Sequence, residues 1–345
     1  MKGWPHTTHP TGWYQVTWSF DLKPGEVRPI RLFGEELVLY RTEGGVANVF
    51  DAYCPHLGAH LGHGGSVKGE RLQCAWHGYQ YDCAGDNVCI PFTDRLNRSI
   101  HLRRWFVEER NHLVMVWYDA LGRDPWWHIP EIPEFYDRPG YYQPDEYGPA
   151  AHSYGILRVK PQLPVENAAD PMHFAFVHGA AEPSTHELFE TDGHYMHFVM
   201  KMLFGGGHER TWMTPDGPVY GMIEGEQWGL GIGVARFEIA GMGTAQIVAT
   251  TPVDDDHCLA FSTIASSRDP EHPDELTGRS VMMIDAQVGQ VKQDFHIWSN
   301  QSYLTKPSFL MPEERNYAAL RRWFEQFYPD EQAAEAASAA GEDGQ

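Results

Sequence analysis

Two short boxes constrain this chain more than any other feature. The first reads Cys54-Pro55-His56 and the second Cys74-Ala75-Trp76-His77, a C-x-H-x17-C-x2-H pattern within CPHLGAHLGHGGSVKGERLQCAWHG. Two thiolates and two imidazoles are a metal-ligand set, so the fold must bring both loops together. Zinc accepts such ligands, but its structural sites usually space each pair by two to four residues, and the one-residue gap of the first box is awkward for a single tetrahedral ion. A binuclear centre removes the difficulty. Cys54 and Cys74 then hold one iron, His56 and His77 the other, and each box hands one ligand to each metal. That is the ligation of a [2Fe–2S] centre in which two His replace two Cys, and the neutral imidazoles raise its potential. Gly58, Gly62, Gly64, Gly65 and Gly78 allow the loops to close tightly around it. His60 and His63 are left without a metal role, and Cys83, Cys89 and Cys258 read as structural thiols.

The surroundings of the boxes read as an all-β unit. WYQVTWSF, VRPIRLFGEELVLYRT, VANVFDAY and HLVMVWYD are rich in β-branched and aromatic residues and are split by Pro-Gly and Gly-Gly. Residues 10–120 are therefore expected to form one domain. DPWWHIPEIPEFYDRPGYYQP holds five prolines. It cannot be a helix interior, so 121–149 reads as a linker packed on a surface. A second domain is expected over 150–330, with alternating strand-like segments from about 190 to 265, a long helix in ELTGRSVMMIDAQVGQVKQDFHIWSNQ and another in NYAALRRWFEQFY. Residues 331–345 read as a frayed tail. The net charge of −21 argues against a nucleic-acid or anionic-membrane surface. The sequence shows neither a signal peptide nor an apolar run long enough for a membrane span, and its five cysteines suit a reducing compartment; a cytoplasmic location is expected.

An electron-transfer domain alone would end near residue 120. The second domain offers Asp170, His173 and His178 in VENAADPMHFAFVH, a segment that reads as helical around its single proline, Pro171. Two His and one carboxylate with open positions suit a mononuclear non-haem Fe(II) that activates O₂. Five residues between His173 and His178 turn a regular helix by about 500°, roughly 140° off one face, so the helix is expected to distort or end between them. The long helix supplies two candidate carboxylates, Asp285 and Asp294. Nine residues apart, they sit on opposite faces, and only one can look at the metal. By residue type alone Asp170 is as well suited to cap a helix as to serve a metal site.

These motifs resemble a known family. CPHLGAHLG and CAWHG are similar to the Rieske boxes of non-haem iron oxygenases, without the extra cysteines of cytochrome bc-type Rieske proteins; CAWHGYQYD departs from the more usual C-P-F-H box. Asn167, Asp170, His173, Phe174 and His178 match the family's iron-binding segment. NAADPMHF, QDFHIW and LRRWFEQFY resemble the 3-ketosteroid 9α-hydroxylase and cholesterol 7-desaturase branch over most of residues 10–328. The resemblance implies an α+β chain: an all-β Rieske [2Fe–2S] domain followed by a helix-grip (Bet v 1/START-like) catalytic domain with an antiparallel sheet. It implies Asp294 rather than Asp285 as third iron ligand, and gives Asp170 the role of bridging His173 to His77 of a neighbouring subunit, hence a homotrimer.

The implied activity is that of a terminal oxygenase component. It would use O₂ and electrons from NAD(P)H, delivered through a separate flavin/iron–sulfur reductase or ferredoxin, to hydroxylate or desaturate a bulky apolar substrate, expected to be a steroid. An aromatic O-demethylase or other Rieske monooxygenase is the alternative, as are a pure electron carrier and a zinc-binding module outside that class. No dinucleotide fingerprint is present, so the reductase is expected on another chain. Phe174, Val177, Met222 and Phe295 are expected in the core rather than lining a pocket.

Overall fold

The computed structural model describes residues 1–136, 140–180, 182–204, 217–239, 241–269, 271–273, 275–309, 311–329 and 333. The tail expected at 331–345 lies, except for residue 333, outside them. The chain divides into two compact units, residues 15–117 with 253–255, and residues 1–14, 118–252 and 256–345.

The smaller unit is built from short strands. Val27–Leu32, Glu35–Arg41 and Ala47–Asp51 form one sheet; Ser66–Lys68, Arg71–Gln73, Gln80–Tyr81 and Asn87–Cys89 form a second; Leu113–Tyr118 pairs with Val107–Arg110 and Gly12–Trp18 in a third. The first hairpin turns on Phe33 (φ 56°) and Gly34 (φ 81°), the left-handed pair that a two-residue turn requires. Phe33 adopts this conformation against its steric preference while its buried ring stacks on Trp105, centroids 5.7 Å apart. The first Cys/His box occupies the loop entering the second sheet, and the second box joins two of its strands. Cys54 and Cys74 thereby fall inside a core with Tyr40, Phe50, Leu61, Leu72 and Tyr81.

The larger unit carries an eight-stranded antiparallel sheet. Its order is Tyr141–Tyr142, Cys258–Ser267, Met242–Pro252, Ile232–Ile239, Val219–Trp228, Tyr195–Phe204 and Thr185–Asp192, with Ala151–Leu157 also pairing Cys258–Ser267. From Thr185 onward each strand pairs with the next one in the chain. Four helices matter here: α1 (Gln162–Glu166), α2 (His173–Phe176), α3 (Gly278–Trp298) and α4 (Arg315–Phe324). Helix α3 starts at Thr277, whose side chain accepts the Ser280 N–H. It buries Ile284 and Val288 against Ile264 and Ala150, and Trp298 against Val159, Leu163 and Cys258. A long helix laid on an antiparallel sheet is the helix-grip architecture. The Pro/Trp-rich stretch belongs to this unit, and Trp127, Ile129, Ile132 and Phe135 are buried.

Helix α4 holds α1 in place. Leu320, Trp323 and Phe324 pack on Val165, Ala168 and Ala169, and Arg321 forks onto the Glu166 carboxylate at 2.9 and 3.1 Å. Glu166 also accepts from Gln162 at 2.9 Å. Arg321→Met leaves that largely buried carboxylate without its cation. We expect a loss of about 2–4 kcal/mol, seen by calorimetry as a lowered unfolding temperature for the larger unit; an unchanged temperature would show that the pair contributes nothing.

Candidate metal centres and substrate cavity

The two Cys/His loops have the same backbone. Cys54 N–H donates to Ala59 O at 2.8 Å and Gly58 N–H donates back to Cys54 O at 2.8 Å; Cys74 N–H donates to Tyr79 O at 2.9 Å and Gly78 N–H to Cys74 O at 3.1 Å. Each turn therefore closes five residues after its cysteine, with a left-handed glycine at the fourth (φ +77° and +70°). This repeated turn presents each sulfur in the same way. The histidines, two and three residues after their cysteines, converge: the His56 and His77 rings lie 4.8 Å apart, nearly perpendicular. Both cysteines are buried, whereas His56 is half-buried and His77 exposed. Two inner sulfurs and two outer imidazoles suit a two-iron cluster with one iron of each kind. The Tyr81 hydroxyl lies 3.1 Å from Cys54 Sγ, a hydrogen bond that can tune the cluster. Without metal, burial pushes the Cys54 thiol up; coordination is what would hold it as thiolate.

The second constellation lies wholly in the larger unit. The segment expected to be helical around Pro171 is instead three pieces. Helix α1 runs into a 3-10 turn at Asn167–Ala169, Asp170 leaves helical geometry (φ −112°, ψ 86°), and α2 restarts at His173 and stops at Phe176. The helix thus ends between His173 and His178, and the chain turns back so that their rings lie 5.2 Å apart. Each ring has its Nδ1 engaged, His173 on the Asp170 backbone carbonyl and His178 on Gln293 Oε1 at 2.8 Å. That leaves Nε2 of each free to ligate.

Asp294, not Asp285, joins them. One ligand atom from each of His173, His178 and Asp294 falls within 4.8 Å of the others, while Asp285 is exposed and interacts with Tyr147. Asp294 Oδ2 lies 3.5 Å from His178 Nε2. Burial raises the Asp294 pKa to about 6, despite the opposing pull of His178 and a hydrogen bond from Asn167. Burial likewise lowers that of His173. A buried carboxylate and two imidazoles meet at one point, and a divalent cation suits that set.

The Asp170 carboxylate does not point at the His173 ring within this chain. It accepts the Met172 and His173 backbone N–H groups at 3.0 and 3.2 Å, and the Tyr317 hydroxyl at 3.2 Å. Asp170 thus caps α2 and fixes the direction of His173. Sequence reasoning missed Gln293 and Tyr317. Gln293 adjoins Asp294 in the chain, but neighbouring helix residues point about 100° apart, so adjacency gave no sign that both serve one site.

The three residues open onto a cavity of about 950 Å³, mouth included. Its walls are mostly apolar: Phe198, Met200, Ile223, Val234, Phe237 and Val248 from the sheet, with Val291 and Trp298 from α3. Glu226 also reaches it, but its carboxylate is taken up by Arg236 and by Tyr195 Oη at 2.8 Å. Of the four residues expected in the core, Phe174 packs against the buried Met202 and Ile223 and also lines the cavity, and Val177 is half-buried. Met222 is 42% exposed, and Phe295 packs edge-on against Tyr154.

Comparisons with known proteins match both parts of the chain. Residues 12–102 match the Rieske [2Fe-2S] domain, and residues 116–328 match the 3-ketosteroid 9alpha-hydroxylase C-terminal domain. The cholesterol 7-desaturase nvd of Xenopus laevis is 30% identical over 95% of this chain and 74% of its own. The oxygenase component of a 3-ketosteroid-9-alpha-monooxygenase from Rhodococcus rhodochrous is 27% identical over 94% of this chain and 86% of its own. Among solved structures, Pseudomonas putida CBB5 NdmA with caffeine covers 91% of this chain and 89% of its own, with TM-score 0.68 at 18% identity. Dicamba monooxygenase bound to 3,6-dichlorosalicylic acid covers 95% and 98%, with TM-score 0.68 at 21% identity. At these identities the structural likeness is one of fold.

Proposed function

Because the chain belongs to the 3-ketosteroid 9α-hydroxylase family of Rieske oxygenases, we propose that it is a terminal oxygenase component acting on a steroid. The observation that carries this reading is the meeting of His173, His178 and Asp294 on the wall of a large apolar cavity. A Rieske cluster and a non-haem iron, once bound, supply one-electron transfer and O₂ activation that no side chain can perform.

The chain's own residues do the rest. Cys54, Cys74, His56 and His77 would hold the cluster, and His173, His178 and Asp294 the single iron. Asp170 and Gln293 hold the two imidazoles with Nε2 turned inward. The apolar sheet face excludes water and aligns a rigid hydrocarbon skeleton against the iron ligands, so that position within the cavity selects the carbon attacked. The reductase or ferredoxin that delivers electrons is another chain. Among the described residues, no helix is long and apolar enough to cross a membrane. The relatives in sequence are named for steroid substrates, which favours a steroid over a methoxy-aromatic.

In a ring of three subunits, Asp170 would link His173 to His77 of the next subunit, passing electrons from cluster to iron. Asp170→Asn keeps the capping acceptor but removes the charge. It is expected to leave both metals bound and to slow substrate oxidation in a single turnover from the reduced protein; an unchanged rate would exclude the link. The reading as a whole is tested by O₂ uptake with a generic reductase across a panel of steroids and methoxy-aromatics. Uptake triggered by steroids and matched by hydroxylated or desaturated product is expected. Uptake triggered only by methoxy-aromatics would replace the steroid with the alternative substrate class.

A further inference from the structure

One polar atom in this cavity is left over. Gln287 is only 6% exposed and lines the cavity, yet its Oε1 has no hydrogen-bond partner among the described residues. A buried acceptor without a partner is costly, and it persists where something else supplies the donor. The amide has one partner in the wall. Its Nε2 donates to Thr244 Oγ1 at 3.4 Å, and Thr244 is itself buried. Nearby on the same strand Gln246 donates to Ser262 Oγ at 2.8 Å, which also meets Tyr154 Oη at 2.9 Å. Gln287 thus lines the cavity with one acceptor open and buried polar side chains beside it.

Its position relative to the iron ligands follows from the helix. Gln287 and Asp294 are seven residues apart on α3, almost two full turns, so they share a face and lie about 10 Å apart along the axis. Gln290 and Val291, which lie between them on that face, also line the cavity.

We infer that Gln287 is a substrate-positioning residue whose side-chain amide hydrogen-bonds an oxygen on the end of the substrate remote from the iron. This rests on the steroid reading above and sharpens it: the favoured substrate carries an oxygen function at that end. A hydroxyl donates to Oε1 as the amide stands; a ketone accepts from the amide NH₂ once the amide reverses, with Oε1 then accepting from the Thr244 hydroxyl. Anchoring the oxygen also fixes which carbon reaches His173, His178 and Asp294.

The test is calorimetric binding to the purified full-length protein of three ligands that differ at one position: 5α-androstan-3β-ol, 5α-androstan-3-one and 5α-androstane. The alcohol and the ketone are each expected to bind about tenfold more tightly than the hydrocarbon, the worth of one hydrogen bond to a buried amide. Gln287→Met should bring both ratios close to one while leaving binding of the hydrocarbon unchanged, which also reports that the cavity is intact. A preference for the oxygenated ligands that survives Gln287→Met, or no preference in the wild type, would overturn the anchor and leave the steroid reading standing. Failure of all three ligands to bind the wild type would overturn both.

Discussion

Alanine at His173 is expected to leave the protein coloured and inactive. The two proposed metal sites draw on separate residues, the cluster site on Cys54, His56, Cys74 and His77, the single-iron site on His173, His178 and Asp294. Removing one imidazole from a three-residue set should lower iron from about three to about two atoms per chain, counting two for the cluster. The visible spectrum of the cluster should not change. Turnover should fall by more than about 100-fold, the upper end of what changes beyond the ligands themselves cost. Two controls sharpen the result. Gln293→Leu removes only the acceptor that orients His178, and should weaken iron binding by about 10–100-fold without abolishing turnover at saturating iron. Asp285→Asn, on the exposed side of α3, should change nothing. Retained turnover in the His173 variant would remove the iron site; loss of turnover in the Asp285 variant would reopen the choice of carboxylate.

Alanine at Cys54 should have the opposite effect on the spectrum and a larger one on the fold. Both sulfurs sit in the core of the smaller unit. Losing the cluster should bleach the protein, remove acid-labile sulfide and reduce iron to about one atom per chain. It should also deprive the buried Tyr81 hydroxyl of the sulfur it meets at 3.1 Å, a loss of about 1–3 kcal/mol before the loss of the cluster itself is counted. The smaller unit is therefore expected to show raised hydrogen exchange through Arg71–Gln73 and Gln80–Tyr81. Cys83→Ala, outside the boxes, should keep colour and sulfide. A wild-type protein that is colourless and holds zinc would defeat the assignment at once.

Much of the site could be read in the chain because its ligands come in local pairs. Cys54 with His56, Cys74 with His77, and His173 with His178 are each fixed within a few residues, and spacing is a geometric statement over that range. The end of the helix between His173 and His178 followed from the same arithmetic. The long helix was visible from its lack of breakers: expected across ELTGRSVMMIDAQVGQVKQDFHIWSNQ, it forms at Gly278–Trp298. The helix expected through Pro171 was less well read, because Asp170 turns out of helical geometry and its carboxylate caps a new start. The cavity wall was read least well. Phe174 looked like core, and nothing in the pattern distinguishes an aromatic that fills a core from one that faces a cavity.

From residue order alone came the ligand types, their pairing into two boxes and a His/His segment, and the mixed β and helical character of the chain. These depend on neighbours a few positions apart, where backbone geometry leaves few choices. The resemblance already pointed to Asp294, but its meeting with the histidines, which glutamine steadies His178, and which glutamine is left with an open acceptor were decided only when α3 lay down on the sheet. Those contacts join residues from 43 to more than a hundred positions apart, and their distances depend on how the strands, the helix and the short turns pack together, which no spacing rule within a segment can encode.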